Sequence, residues 1–107
     1  MHLRKIAQEF ADQAKRKYPD KIEKTILFGS VARDEMTPES DIDLLVICTS
    51  TGGDRFKVRR MIMDDVVSFL LKYGVYISVK TLSEEESIEL KDTGFLRQIN
   101  TEGVALA

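Results

Sequence analysis

The chain has 107 residues, and its 16 lysine and arginine side chains against 18 aspartate and glutamate side chains give a net charge of −2. This length is typical of one small domain, so we expect residues 1–107 to form a single domain. The slight negative charge argues against stable general binding to nucleic acid, which requires a basic surface. The longest apolar run, residues 44–48, is far shorter than the about 20 residues of a membrane-spanning helix, so no membrane association is expected.

The cysteine content and the N-terminus indicate the compartment. A single cysteine, Cys48, cannot form an internal disulfide, which agrees with a reducing environment. The N-terminal segment is polar and amphipathic and lacks the apolar centre of a secretion signal. We therefore expect a cytoplasmic protein.

The first part of the chain predicts a helix followed by two strands. Apolar residues recur every three or four positions from Leu3 to Tyr18, which is the pattern of an amphipathic helix that Pro19 ends. Residues 22–28 predict a strand that stops at a tight turn, Gly29-Ser30. Residues 41–48 are rich in branched apolar side chains and predict a mostly buried second strand.

The second part predicts two further helical regions around a third strand. Residues 49–53 are turn formers, and a long helix runs from Phe56 to Tyr73. Residues 75–80 alternate between apolar and polar and predict a strand with one buried face. Ser83 and Glu86 form a capping box that starts a helix, and residues 94–100 predict another helical piece. The order α-β-β-α-β-α, with any short helix after Gly29-Ser30 additional, indicates an α/β (α+β) fold in which helices cover a small mixed sheet.

Two acidic residues at the start of the second strand are candidates for metal binding. Asp41 and Asp43 are two positions apart, so both carboxylates project from the same face of an extended segment. Their mutual repulsion is relieved by a cation, and hard oxygen ligands suit Mg²⁺. The alternative is that the pair marks a solvated strand end, because a bare Asp-x-Asp is a common pattern.

The turn after the first strand is a candidate for phosphate binding. Gly29 lets backbone N–H groups approach an anion closely, and a helix that starts after this turn would favour negative charge. A Gly-Ser pair by itself is also an ordinary way to end a strand. It is the combination with Asp41 and Asp43 that is specific.

Residues 27–46, LFGSVARDEMTPESDIDLLV, resemble the signature of the DNA polymerase β-type nucleotidyltransferases. In that signature Gly-Ser is followed by ten residues and then Asp-x-Asp, and ten residues separate Ser30 from Asp41 here. Arg33 and Ser40 also match the form of the motif found in minimal nucleotidyltransferase domains. The resemblance extends to the N-terminal helix, the long helix and the third strand, and it implies the polymerase β-like nucleotidyltransferase fold.

The resemblance also implies an activity and a set of partners. Gly29 and Ser30 would bind the phosphates of ATP or another nucleoside triphosphate, and Asp41 and Asp43 would be the catalytic, Mg²⁺-binding residues. AMP would be transferred to a hydroxyl of a partner protein. Minimal members often act as antitoxins of HEPN-type ribonuclease toxins, so a HEPN-domain partner is expected, and the assembly could be a homo- or hetero-oligomer.

One position departs from the family pattern. Active members usually carry a third carboxylate on the next strand, and the best match to it here is Ser78, whose hydroxyl is a weaker magnesium ligand and no base at neutral pH. Three interpretations stay open. The site works with two carboxylates, another acid such as Asp64 or Asp65 reaches in, or the domain is a catalytically depleted nucleotide-binding module that neutralises a partner by binding.

Two other features allow more than one interpretation. Asp34 stands where the minimal family often has glycine, which predicts a helical and more acidic turn after Arg33 and weaker binding of a triphosphate. A basic group near the start of the long helix could neutralise a triphosphate, bind RNA, or be a solvated helix face. Its members are Arg55, Lys57, Arg59 and Arg60.

Overall fold

The computed structural model describes residues 2–35, 37, 39–50 and 55–107. The elements in chain order are α1 (Leu3–Lys17), β1 (Ile22–Phe28), α2 (Gly29–Ala32), β2 (Ile42–Cys48), α3 (Arg55–Tyr73), β3 (Ile77–Ser83), α4 (Glu84–Glu89), α5 (Gly94–Glu102) and β4 (Val104–Ala105). Part of the predicted loop at 49–53 lies outside the described residues. None of the helices in the described ranges has the length and apolar character needed to cross a membrane.

The strands form one mixed sheet in the order β3-β2-β1-β4. β2 pairs with β3 in parallel and with β1 in antiparallel, and β4 pairs with β1 in antiparallel. The predicted small mixed sheet is therefore confirmed. A parallel pair requires a long connection between its strands, and α3 supplies it between β2 and β3.

β2 begins one residue later than predicted, at Ile42, and two other strands differ more from the prediction. β3 covers Ile77–Ser83 instead of residues 75–80, because its register with β2 continues as far as the pair Cys48 and Ser83. β4 was not predicted, since two residues are too few to show an alternating pattern. It exists because Val104 and Ala105 extend the sheet along β1.

The larger hydrophobic core lies on one face of the sheet. Ile42, Leu44 and Val46 project from β2 to this face, where α1 and α3 cover them. Phe10 of α1 and Phe69 of α3 meet edge to face with their ring centroids 5.1 Å apart. We call this the helix face.

The opposite face of the sheet carries a smaller apolar cluster and the acidic pair. Because side chains alternate along a strand, Asp43, Leu45 and Ile47 project to this side. Leu45 and Ile47 pack against Leu96 and Ile99 of α5. We call this the site face, because α5 covers its middle and leaves the ends of the strands around Asp43 accessible.

Local signals set the helix ends. α3 ends at Tyr73, and Gly74 follows it with φ +69° and donates its backbone N–H to Leu70 O at 2.8 Å, as expected for a glycine that follows a helix. The predicted capping box at the start of α4 is present. Ser83 Oγ accepts from Glu86 N, and Glu86 Oε1 accepts from Ser83 N, each at 3.0 Å.

Candidate functional site

The turn between β1 and α2 lies against the carboxylate of Asp43. Phe28, the last residue of β1, is the register partner of Asp43 on β2. Gly29 follows with φ +77°, and a Cβ atom at this position would lie 2.3 Å from Asp43 Oδ2. Position 29 therefore requires glycine for two reasons. The backbone has a left-handed conformation that disfavours side chains, and the carboxylate of Asp43 occupies the space that a side chain would need. Ser30 comes next, half-buried in the short helix α2.

The two aspartates differ in their surroundings. Asp41 precedes β2 and is exposed, whereas Asp43 is the second residue of β2 and is half-buried. Burial raises the pKa of Asp43, and the negative charge of Asp41 raises it further. The positive charges of Lys80 and Arg33 act in the opposite direction and lower this pKa. The pair is thus a site of like charges that a cation would relieve.

Ser78 lies directly beside Asp43. The parallel register of β2 and β3 pairs these two residues, and both side chains project to the site face. Ser78 is therefore at the position that the sequence analysis assigned to the missing third carboxylate. The residues Phe28, Asp43 and Ser78 form a row across three adjacent strands.

The expectation that Asp64 or Asp65 could supply the third carboxylate is wrong. Both lie on α3, which packs on the helix face, so the sheet separates them from Asp43. Asp65 is buried and its Oδ1 accepts from Lys17 Nζ at 2.6 Å. Within the described ranges, no group of three or more acidic, histidine or cysteine side chains is placed to hold a metal ion.

Two basic residues near Asp43 were not assigned a role from the sequence. Arg33 follows α2 and forms ion pairs with Glu35 at 3.2 Å and with Glu102 of α5 at 3.4 Å. Lys80 lies two residues after Ser78 on the same side of β3. The two-residue period of the strand was the available signal for Lys80, whereas the contact between Arg33 and Glu102 depends on tertiary packing.

Two clefts flank the row that contains Asp43. The Gly29 cleft has a volume of about 210 Å³, and its lining includes Phe28, Gly29, Arg33, Phe95, Gln98 and Glu102. The Ser78 cleft has a volume of about 410 Å³, and its lining includes Arg55, Phe56, Arg59, Ser78, Lys80 and Phe95. Phe95, at the start of α5, lines both clefts and contacts the Phe28 ring edge to face at 5.6 Å between centroids.

The sequence profile of the nucleotidyltransferase domain family matches residues 5–104. This chain belongs to the nucleotidyltransferase domain family. A protein of Methanocaldococcus jannaschii named "Putative protein adenylyltransferase" is 39% identical over 106 residues, which is 99% of each chain. The resemblance to minimal nucleotidyltransferase domains, derived from the motif, is thereby confirmed.

Solved structures of nucleotidyltransferases share the fold. A crystal structure titled as a "putative nucleotidyltransferase" from Sulfolobus solfataricus is 23% identical, with a TM-score of 0.59 over 94% of this chain and 76% of that chain. A crystal structure titled as a toxin-antitoxin with AMP-PNP is 17% identical, with a TM-score of 0.58 over 94% of this chain and 72% of that chain. The predicted nucleotidyltransferase fold is confirmed.

Nucleotidyltransferases typically use a divalent metal ion, and the residues around Asp43 fit one. The half-buried carboxylate of Asp43 accepts no hydrogen bond from the described part of the chain, and its pKa is raised by burial and by Asp41. Mg²⁺ is commonly bound by one or two carboxylates, with substrate phosphates and water completing its coordination. Asp41 and Asp43 are sufficient for that donor set, and Ser78 can add only a neutral oxygen.

Proposed function

We propose that this nucleotidyltransferase transfers AMP from ATP to a hydroxyl of a partner protein. The observation that carries the proposal is the contact of the Gly29 turn with Asp43, which sets a candidate phosphate-binding turn beside a carboxylate pair. Phosphoryl transfer requires this combination, because charge on the phosphates must be neutralised while the reacting oxygens are held in position. The name of the relative from Methanocaldococcus jannaschii supports a protein as the acceptor.

The proposed roles rest on the resemblance of residues 27–46 to the family signature, and the closeness of Gly29 to Asp43 supports them. Gly29 and Ser30 bind the phosphates of ATP, and Asp41 and Asp43 are the catalytic residues that hold Mg²⁺. When bound, Mg²⁺ neutralises negative charge on the phosphate oxygens. The acceptor oxygen forms a bond to the α-phosphorus while the bond from this phosphorus to the bridging oxygen of the β-phosphate breaks. Pyrophosphate leaves, and the hydroxyl proton passes to solvent, since Ser78 is no base at neutral pH.

The proposed biological role is that of an antitoxin. The motif resembles minimal nucleotidyltransferase domains that modify HEPN-type ribonuclease toxins, and a toxin-antitoxin structure shares the fold. We propose that the partner is a HEPN-domain protein and that the modified hydroxyl belongs to it. The setting of the reaction is the cytoplasm.

A second candidate function is favoured by Ser78. Because a neutral hydroxyl stands beside Asp43 where active members have a carboxylate, the domain could have kept nucleotide binding and lost transfer. It would then neutralise its partner by binding. The two functions differ in whether the partner gains mass.

Intact-mass analysis separates these functions. The protein encoded beside this one is purified together with it and incubated with ATP and Mg²⁺, and the double variant Asp41→Asn/Asp43→Asn serves as the control. The proposed transfer predicts mass gains in steps of one AMP group that disappear in the control. A stable complex that gains no mass would support the binding module and overturn the transferase proposal.

A further inference from the structure

The Ser78 cleft lies on the opposite side of Asp43 from the phosphate-binding turn. β2 is the strand between β1 and β3, so Phe28 and Gly29 flank Asp43 on one side and Ser78 flanks it on the other. Phe95 lines both clefts. Any molecule that reaches Asp43 through the Ser78 cleft therefore approaches from the side away from Gly29.

In-line displacement assigns this side to the acceptor. In phosphoryl transfer, the attacking and leaving oxygens lie on opposite sides of the phosphorus. Under the proposed function, the triphosphate is held at Gly29 and Ser30, so pyrophosphate leaves on that side. The attacking hydroxyl must then enter past Ser78. The cleft there, of about 410 Å³, is large enough for several side chains of a peptide segment.

Two of the basic side chains of the Ser78 cleft, Arg55 and Arg59, are held in place by hydrogen bonds to the edge of β3. Arg59 donates from Nε to Val79 O at 3.3 Å, and Arg55 donates from Nη1 to Thr81 O at 3.2 Å. The terminal nitrogens of Arg59 have no partner among the described residues. Positioned guanidinium groups recognise carboxylates well, because little side-chain entropy remains to be lost on binding.

The charge of the cleft is positive but small. Arg55 Nε pairs with Glu86 Oε1 at 2.9 Å, which offsets the charge of Arg55. Arg59 and Lys80 remain, and Lys80 makes no hydrogen bond or ion pair with the described part of the chain. The described residues that line this cleft include no aspartate or glutamate.

We propose that the Ser78 cleft binds an acidic segment of the acceptor protein, with one or two carboxylates close to the hydroxyl that is modified. This inference rests on the proposed function, because the in-line argument places the acceptor there. The charges of Arg59 and Lys80, which have no ion-pair partner among the described residues, match two carboxylates, whereas a nucleic acid chain requires many more cations than this cleft offers. Phe56 and Phe95 provide apolar surface for the remainder of the segment.

Direct peptide binding tests the proposal. Three fluorescein-labelled peptides share a central serine that is flanked by glutamate, glutamine or lysine, and their binding is measured by fluorescence anisotropy with Mg²⁺ and α,β-methylene-ATP present. We expect the glutamate peptide to bind about tenfold more tightly than the glutamine peptide, and the lysine peptide to bind most weakly. Equal affinity for the three peptides would overturn the proposal.

Matched charge variants locate the binding surface. Arg59→Gln/Lys80→Gln should weaken binding of the glutamate peptide about tenfold, which is the effect of losing two favourable charge contacts. Lys57→Gln/Arg60→Gln removes the same charge from exposed positions that do not line the cleft, and it should change the affinity less than twofold. Lys80→Gln alone removes no hydrogen bond or ion pair with the described residues and should still weaken binding, so the result does not depend on the folding of the double variant. Equal effects of the two double variants would contradict the assignment.

The outcomes distinguish this inference from the proposed function. The protein could bind an oligouridine more tightly than the glutamate peptide and lose this binding in Arg59→Gln/Lys80→Gln. That result would show that the cleft binds RNA and would overturn the proposal that it binds a protein segment. Transfer to the partner with no preference for the glutamate peptide would overturn the acidic segment and leave the transferase proposal intact. Selective peptide binding in a protein that transfers no AMP would contradict the transferase function and leave the acidic preference of the cleft standing.

Discussion

At the scale of single residues, Gly29 connects the backbone of the turn to the chemistry of the site. Its φ of +77° disfavours any side chain, and the place of its Cβ is filled by the carboxylate of Asp43. Gly74 has a similar φ of +69°, but a Cβ there would meet no atom within 4 Å. The two glycines therefore separate the effect of backbone strain from the effect of contact with Asp43.

We expect Gly29→Ala and Gly74→Ala each to lower the free energy of unfolding by about 1–2 kcal/mol, because both place a side chain in the left-handed region. Gly29→Ala should lower it further and abolish AMP transfer, since its methyl group displaces the Asp43 carboxylate. Urea denaturation and the intact-mass assay measure the two effects. Normal transfer by Gly29→Ala would show that the contact with Asp43 is not required.

Ser78 is the second residue whose position suggests a test. Ser78→Asp sets a third carboxylate beside Asp43 and should increase the affinity for Mg²⁺ about tenfold or more, because a charged ligand replaces a neutral one. Isothermal titration with Mg²⁺ measures this. Ser68→Asp, at an exposed position on α3, adds the same charge away from the site and should have no such effect. Equal Mg²⁺ affinity of the two variants would contradict the assignment of the metal to this position.

At the scale of elements, the capping box of α4 stabilises a short helix that has no buried residues. The Ser83 backbone N–H bonds the Glu86 carboxylate, which lowers the pKa of Glu86, and burial opposes this more weakly. A carboxyl with a lowered pKa in the folded state stabilises the fold above its ordinary pKa, and this contribution is lost as the pH falls through the lowered value. The capping contribution is therefore present at neutral pH and absent in strong acid.

Ser83→Ala should lower the free energy of unfolding at pH 7 by about 1 kcal/mol, the usual cost of losing an N-cap.

Glu86→Gln removes the carboxyl that titrates, so the free energy of unfolding of this variant should no longer depend on protonation of residue 86. The difference in stability between the wild-type protein and Glu86→Gln should thus shrink as the pH is lowered below 4.5, the ordinary pKa of the group. Urea denaturation across this range is the measurement. A difference that grows toward acid would contradict the sign of the pKa shift.

At the scale of the whole molecule, the sheet separates the large core on the helix face from the candidate site on the opposite face. The large core on the helix face includes Cys48, and burial raises the pKa of its thiol to about 11 from an ordinary value of 9.0. The thiolate is the reactive form. Cys48 is therefore suited to report on the integrity of the core.

Alkylation of Cys48 by iodoacetamide at pH 8 should be slow in the native protein and fast in the unfolded one. The pKa difference of about 2, from 9.0 to about 11, reduces the thiolate fraction about a hundredfold, and burial excludes the reagent as well. Labelling across a urea series, read by intact mass, should follow the unfolding transition seen by circular dichroism. Labelling well before that transition would show that the helix face opens locally.

Elements that depend on residues close together in the sequence could be predicted, whereas elements that depend on residues far apart in the sequence could not. The amphipathic pattern of α1, the alternation along β3 and the capping box at Ser83 are local, and the structure contains all of these elements. The two residues of β4 were missed, because their strand conformation comes entirely from pairing with β1. The end of β3 was placed too early, since its length follows from its register with β2.

The sequence by itself determined the family, because the spacing of ten residues between Gly29-Ser30 and Asp41 is a property of the chain. It also predicted that the side chains of Asp41 and Asp43 project to the same side, because side chains alternate along an extended segment with a period of two residues. Only the tertiary structure decided which other groups surround the pair. It set Ser78 beside Asp43 and placed Asp65 behind the sheet with Lys17. The physical reason is that these neighbours are far apart in the chain, so strand pairing and the packing of α3 bring them together or keep them apart.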